Sequence, residues 1–213
     1  MVSADYIMRM IEQFGVFLGA IILYKRRRQF GLALEKIEEA YNGLLHLNAD
    51  ELKKLSVNEI IENKTYKNVL DKDSIEIISR LLFEEADIIE RINGPNMESF
   101  EYYKKSIELF FILSSENETK DFHENIDEII TKLANYEIDN GIEYKIYKYY
   151  AKRKLYGKAE DELYQLLENN YPNAKDEIKM FYNKLLEKDD SDLEKGNLPR
   201  NEIIEGMKKL EYV

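Results

Sequence analysis

The sequence predicts an all-α fold of stacked antiparallel helical hairpins, and three observations carry that prediction. Apolar residues recur at alternating steps of three and four along most of the chain, the period of a helix with one buried face. No window shows the strict apolar and polar alternation of a half-buried strand. Nine glycines and three prolines in 213 residues leave little material for the tight turns of a many-stranded fold. With 44% hydrophobic residues, sixteen tyrosines and nine phenylalanines, the chain can fill a sizeable core, which excludes disorder over most of its length.

The first helix is expected to begin after Ser3, whose hydroxyl can cap an orphan N–H, and to run to about Arg28. It holds the one long apolar run, Phe14 to Tyr24, followed directly by Lys25, Arg26, Arg27 and Arg28. Eleven residues cannot cross a hydrocarbon layer that takes about 20. A secretory signal would carry its charge before the apolar run, not after it. Ile7, Ile11, Phe14, Leu18 and Ile21 form one stripe, and Met10, Phe17, Ala20 and Tyr24 a second, so two faces are apolar. Such a helix joins the core, the reading adopted here, or meets a second copy along Ile7, Ile11, Phe14 and Leu18, or lies on a membrane surface. Gly15 and Gly19 would permit close backbone approach.

After a break near Gly31, Ala33, Ile37, Ala40, Leu44 and Leu47 share one seam of a second helix. Ser56 with Glu59 reads as a capping box for a brief helix carrying Ile60 and Ile61, and residues 64–72 read as a loop. Asp73 with Glu76 repeats the signal ahead of Ile75, Ile78, Leu82, Ala86 and Ile89, in a helix ending before Asn93, Gly94 and Pro95. A helix from about Asn96 buries Phe100, Tyr103, Ile107 and Phe110 and stops in the polar stretch 114–120. Asp121 with Glu124 caps the next, carrying Ile126, Ile129 and Leu133 and expected to end at Asn140 and Gly141. Helices are expected at 142–154, 157–170 and 174–187, with Pro172 and Asn173 separating the last two. Residues 188–198 are too poor in apolar side chains to pack and read as an acidic linker. Pro199 then suits the first turn of a helix bearing Ile203, Ile204, Met207 and Leu210. The organisation expected is one helical-repeat domain over 1–187, the linker, and a C-terminal helix over 199–213 docking on the domain or on a partner, with about eight to ten helices in all.

Three segments align internally, starting at Gln29, Glu101 and Leu155. Each places an aromatic (Phe30, Tyr103, Tyr156) three residues before a small residue (Ala33, Ser106, Ala159). Bulkier residues follow: Ile37 and Ala40, Phe110 and Leu113, Leu163 and Leu166. This resembles the second helix of a tetratricopeptide unit, and Ile146, Tyr150 and Pro172 extend the match in the third copy. The typical tryptophan is absent, Tyr147 stands where a small residue is usual, and the anchors fall at unequal intervals, so the repeat is degenerate. The resemblance implies a right-handed superhelix of hairpins. The opening DYIMRMIEQFG, the following ALEKIEEAYNGLLHL and the LKKLS step at 52–56 also resemble an uncharacterised family of bacterial helical-repeat proteins. That resemblance supports the fold and implies no particular chemistry.

With no cysteine and only His46 and His123, the chain lacks the ligands of zinc, haem and iron–sulfur sites, and no metal or cofactor is expected. Glycine-rich phosphate loops are absent. Acid pairs such as Glu38 with Glu39 and Glu84 with Glu85 read as solvated faces. A net charge of −11 repels phosphate backbones, so no nucleic-acid partner is expected. Within that acidic chain Lys145, Lys148 and Lys152 line one helix face, Arg153, Lys154 and Lys158 extend the patch around the following turn, and Tyr144, Tyr147, Tyr149, Tyr150 and Tyr156 interleave it. Stacked hairpins leave a concave groove, where ammonium groups and rings can hold an acidic peptide. The function expected is therefore a non-catalytic cytoplasmic scaffold for a protein or acidic peptide. The alternative is a homodimer through the first helix; a carboxylate-based enzyme or a membrane-surface protein ranks below both.

Overall fold

The computed structural model describes residues 4–46, 48–116 and 121–210, and the side chains of these apart from residues 4–7 and 116. The expected Ser3 cap, Leu47 on the second seam, the Ile7 side chain and most of the polar stretch before residue 121 lie outside the described residues. Twelve helices and one two-stranded hairpin make up the described chain, so the all-α expectation holds. The chain divides into two compact units, Met1–Glu137 and Ile138–Val213, where a single domain over 1–187 was expected.

The first unit is built on two long hairpins. Helix α1 (Ala4–Arg26) packs on α2 (Phe30–Leu45), and α5 (Lys72–Asn93) packs on α6 (Met97–Glu116), with α7 (His123–Leu133) laid on α6. Arg28 enters the left-handed region (φ 58°), so the first break precedes Gly31, which sits inside α2. Between the hairpins lie α3 (Ala49–Lys54) and α4 (Val57–Asn63). The Ser56 capping box forms as expected: Glu59 N–H donates to the serine hydroxyl, and the Glu59 carboxylate accepts from Ser56 N–H at 2.8 Å. Residues 64–72 are more ordered than a loop. Strands β1 (Thr65–Tyr66) and β2 (Val69–Leu70) pair antiparallel, joined by Lys67 and Asn68 at φ 49° and 62°, the two positive angles of a tight hairpin turn. Two-residue strands are too short to show alternation. The cap of α5 is Asp71, which accepts from Ser74 N–H at 3.1 Å, not Asp73.

Helix α5 touches α1, α2 and α6, and every residue from Leu81 to Ile89 is buried. This overturns the reading of Glu84 and Glu85 as a solvated face: they are 1% and 5% exposed, and Asp87 is 2% exposed. A helix enclosed by neighbours has no solvated side, so its acids need cations carried in by other elements. Lys25 of α1 reaches both Glu84 and Asp87, the latter at 2.9 Å, and Lys132 of α7 reaches Asp87 at 2.5 Å and Glu90 at 2.9 Å. Arg91 closes on Asp87 at 2.8 Å, Arg80 on Glu84 at 3.3 Å, and Lys53 of α3 on Glu85 at 2.5 Å. Burial alone would raise the Asp87 carboxyl, but hydrogen bonds from Arg91, Lys132 and Lys25 hold it well below the usual aspartate range. Glu85 has one cation for its burial, and burial wins: its carboxyl is pushed up.

The second unit consists of α8 (Asn140–Lys152), α9 (Tyr156–Glu168), α10 (Ala174–Leu186), α11 (Asp190–Lys195) and α12 (Arg200–Leu210). Asn140 and Gly141 open a helix where they were expected to close one, because Asp139 accepts from Gly141 and Ile142 N–H at 3.0 and 3.1 Å, while the preceding helix already ends at Leu133. Residues 188–198 form no open linker. They contain α11, bury Leu193 and Leu198, and are tied down by Arg200, which bonds Asp190, the Leu186 carbonyl and the Lys188 carbonyl at 2.5, 2.8 and 2.5 Å. Gly157 N–H donates to the Gly196 carbonyl at 2.9 Å, an approach that a Cβ on either glycine would block. Helix α12 packs on α10 at Gly206, against the Tyr182 ring.

Removing the acceptor shared by three cations should be costly, because a broken buried pair leaves uncompensated charge. Asp87→Asn is expected to lower unfolding free energy by about 3 kcal/mol in urea at neutral pH. Because the Asp87 carboxyl is depressed in the fold, its stabilisation is complete above the ordinary value of 3.8 and declines below it. The gap between variant and wild type should therefore narrow as pH falls below that value, and a gap that stays constant would refute the assignment.

Candidate functional site

Helix α8 carries the side chains singled out by the sequence. Its buried side holds Ile142, Glu143, Ile146, Tyr147, Tyr149 and Tyr150, while Lys145, Lys148 and Lys152 are exposed along one face. Tyr144 is half-buried at one flank of that face. Its ring stacks on Tyr171 with centroids 5.6 Å apart, and Tyr147 meets Phe181 of α10 edge-on at 5.7 Å. The Lys148 ammonium lies 4.8 Å from the Tyr144 centroid and 4.9 Å from that of Tyr147. Glu177, in the first turn of α10, completes the cluster: its carboxylate accepts from the Tyr144 hydroxyl at 3.1 Å and pairs with Lys148 at 3.6 Å. Burial would lower the Lys148 ammonium, but Tyr144, Tyr147 and Glu177 together hold it above the ordinary lysine value.

The structure thus brings Tyr144, Tyr147 and Lys148 together and keeps Lys145 and Lys152 on the same face, on either side of them along the helix. Arg153 turns away. Its guanidinium lies over Tyr149 and donates to that hydroxyl at 2.8 Å, on the other flank of α8. Beyond the turn Lys154 pairs with Asp192 at 3.2 Å, and the Lys158 ammonium lies 5.2 Å from the Tyr150 centroid. Glu177 is the residue the sequence reading missed, since no local spacing connects it to Lys148. On α1, Ile11 is exposed while Phe14 and Leu18 are half-buried, so the seam expected to meet a second copy is partly covered within the chain.

Acidic groups converge elsewhere in the second unit. Glu143 is fully buried and accepts from the Asn169 amide at 3.2 Å. Burial, with Glu143 and Asp161 nearby, pushes the Glu162 carboxyl up to about 7. The Tyr182 hydroxyl donates to Glu160 at the wall of a hollow of about 370 Å³ that Glu202 and Glu205 also line. Among the described residues no group of three or more histidines or acids is placed to hold a metal ion, and no helix is long and apolar enough to cross a membrane.

The family model of DUF6483, a family of unknown function, matches residues 1–212, and the chain belongs to that family. No curated protein and no solved structure matches the chain.

The raised Glu162 carboxyl gives a stability signature of known sign. Folding favours its protonated form, so the wild type loses stability as pH rises from 4.5 through about 7. Glu162→Gln should raise the melting temperature at pH 8 by about 3 to 6 °C and leave it unchanged at pH 4.5. An equal shift at both values would remove the charge explanation.

Proposed function

We propose that the protein is a non-catalytic binding module of the cytoplasm that holds an acidic peptide along the exposed face of α8. One observation supports this above all: the face already holds a carboxylate, because Glu177 is gripped by the Tyr144 hydroxyl and by a Lys148 ammonium seated over two rings. Lys145 and Lys152, exposed on the same face, present further ammonium groups for charge-assisted hydrogen bonds to carboxylates. These two stand about 10 Å apart along the helix axis. A polyproline II peptide repeats its face every third residue, about 9 Å. Acidic side chains at i and i+3 therefore match the two lysines, with Lys148 and its rings between them.

In this reading the hairpins α1–α2, α5–α6 and α8–α9 are each a degenerate tetratricopeptide-like unit. Their supporting feature is the small residue of each second helix: Ala33, Ser106 and Ala159 are all 0% exposed. The adjoining bulky residues Ile37, Phe110 and Leu163 are buried beside them.

A fluorescein-labelled peptide with Glu at every third position and Pro between should bind the wild type, more weakly as salt rises. Reversing two surface charges, Lys145→Glu with Lys152→Glu, should weaken binding roughly tenfold, and Glu177→Gln, which removes the internal competitor, should tighten it. The corresponding Gln peptide should not bind. Equal affinity for the double variant and the wild type, or no binding by the wild type, would overturn the proposal.

A further inference from the structure

Helix α1 packs on α2 and α5 with Met10 and Ile21 buried between them. Its opposite side is apolar too. Met8, Ile11, Val16 and Leu23 are 60%, 47%, 75% and 45% exposed. Gly15 and Gly19 lie among them, and a Cβ built on either meets nothing within 4 Å. Glycine is a poorer helix former than alanine, and nothing among the described residues packs against these two positions to account for it. At about 100° per residue, Glu12, Gly15, Gly19, Leu23 and Arg26 fall within about 40° of one line along the helix. That line runs roughly a third of a turn from the Ile7, Ile11, Phe14, Leu18 seam. Along that line exposed Glu12 stands towards the start and exposed Arg26 at the finish, while Arg9 and Arg27 lie about 80° to one side of it.

We propose that this face docks on a second copy of the chain, α1 against α1, antiparallel about a two-fold axis at Gly19. In that register Glu12 of each copy meets Arg26 of the other, Gly15 receives Leu23, Val16 meets Ile22, and the two Gly19 backbones cross. The charge order selects the second copy and its direction. An antiparallel pair sets acid against base at both ends and opposes the helix dipoles, whereas a parallel pair sets Glu12 against Glu12 and Arg26 against Arg26. The bare glycines supply the hole that the leucine fills. Helix α1 is about 34 Å long, so the pair buries less than a standard interface of about 1,600 Å², and micromolar association follows.

Sedimentation velocity of the full chain over roughly 1 to 100 µM tests this. The wild type should pass from a 25.3 kDa monomer to a species of twice that mass as concentration rises. Gly19→Leu should stay monomeric while its melting temperature holds or rises, because the new side chain enters open space and favours helix. Glu12→Arg and Arg26→Glu should each weaken association roughly tenfold or more. An equimolar mixture of the two should restore it, since in the mixed pair the two reversed residues face each other and the two native ones do as well. A wild type that stays monomeric, whether or not it binds phosphatidylserine vesicles, overturns the proposal. So does a Gly19→Leu variant that still dimerises, or a mixture that associates no better than its components.

Discussion

Lys25, Arg91 and Lys132 converge on Asp87, and that shared acceptor ties the first unit together. The three cations come from α1, α5 and α7, so one buried acid fixes the relative placement of three helices. Apolar packing alone would tolerate sliding by a turn, since leucine and isoleucine faces look alike to one another. A buried carboxylate does not, because any displacement strands charge in a medium that cannot solvate it. Glu85 marks the margin of this arrangement. With Lys53 as its one cation among the described residues, burial outweighs the ion pair, and the two acids two residues apart shift in opposite directions.

The fold class was legible because helical periodicity is a local property, and the seams through Ala33 and Ile37 or Ile126 and Ile129 are buried as that period requires. Boundaries were legible where a single side chain decides them, as at Ser56. They were lost where two candidates compete: Asn140 and Gly141 have the composition of a helix end, and Asp139 makes them a beginning. Glu84 and Glu85 were misread for a different reason. A carboxylate's environment is set by elements far away in the chain, and nothing near residue 84 announces that Lys25 will arrive.

The same limit applies to the surface of α8. The lysine face follows from spacing, and Lys145, Lys148 and Lys152 are exposed along one side of the helix, whereas Tyr147 is buried. What spacing cannot show is Glu177, which turns Lys148 from an isolated charge into the centre of a cation, ring and carboxylate cluster. Nor can it show that Arg153 prefers the neighbouring Tyr149 hydroxyl to the common face. Of the six side chains expected to cooperate, the three lysines share an exposed face with half-buried Tyr144 at its flank, Tyr147 lies buried beneath Lys148, and Arg153 turns to Tyr149.

The stretch 188–198 has a practical consequence. Its composition invites a biochemist to cut, tag or lengthen the chain there, as one would at a tether between modules. Yet Gly196 lies against the Tyr156 ring, its carbonyl receives the Gly157 amide, and Leu193 and Leu198 are interior residues. Trimming the protein at residue 187 would strip the cover from the start of α9 and leave its aromatic side chain facing water. This acidic segment serves as a clasp, and a protein shortened as though it were dispensable would be expected to aggregate.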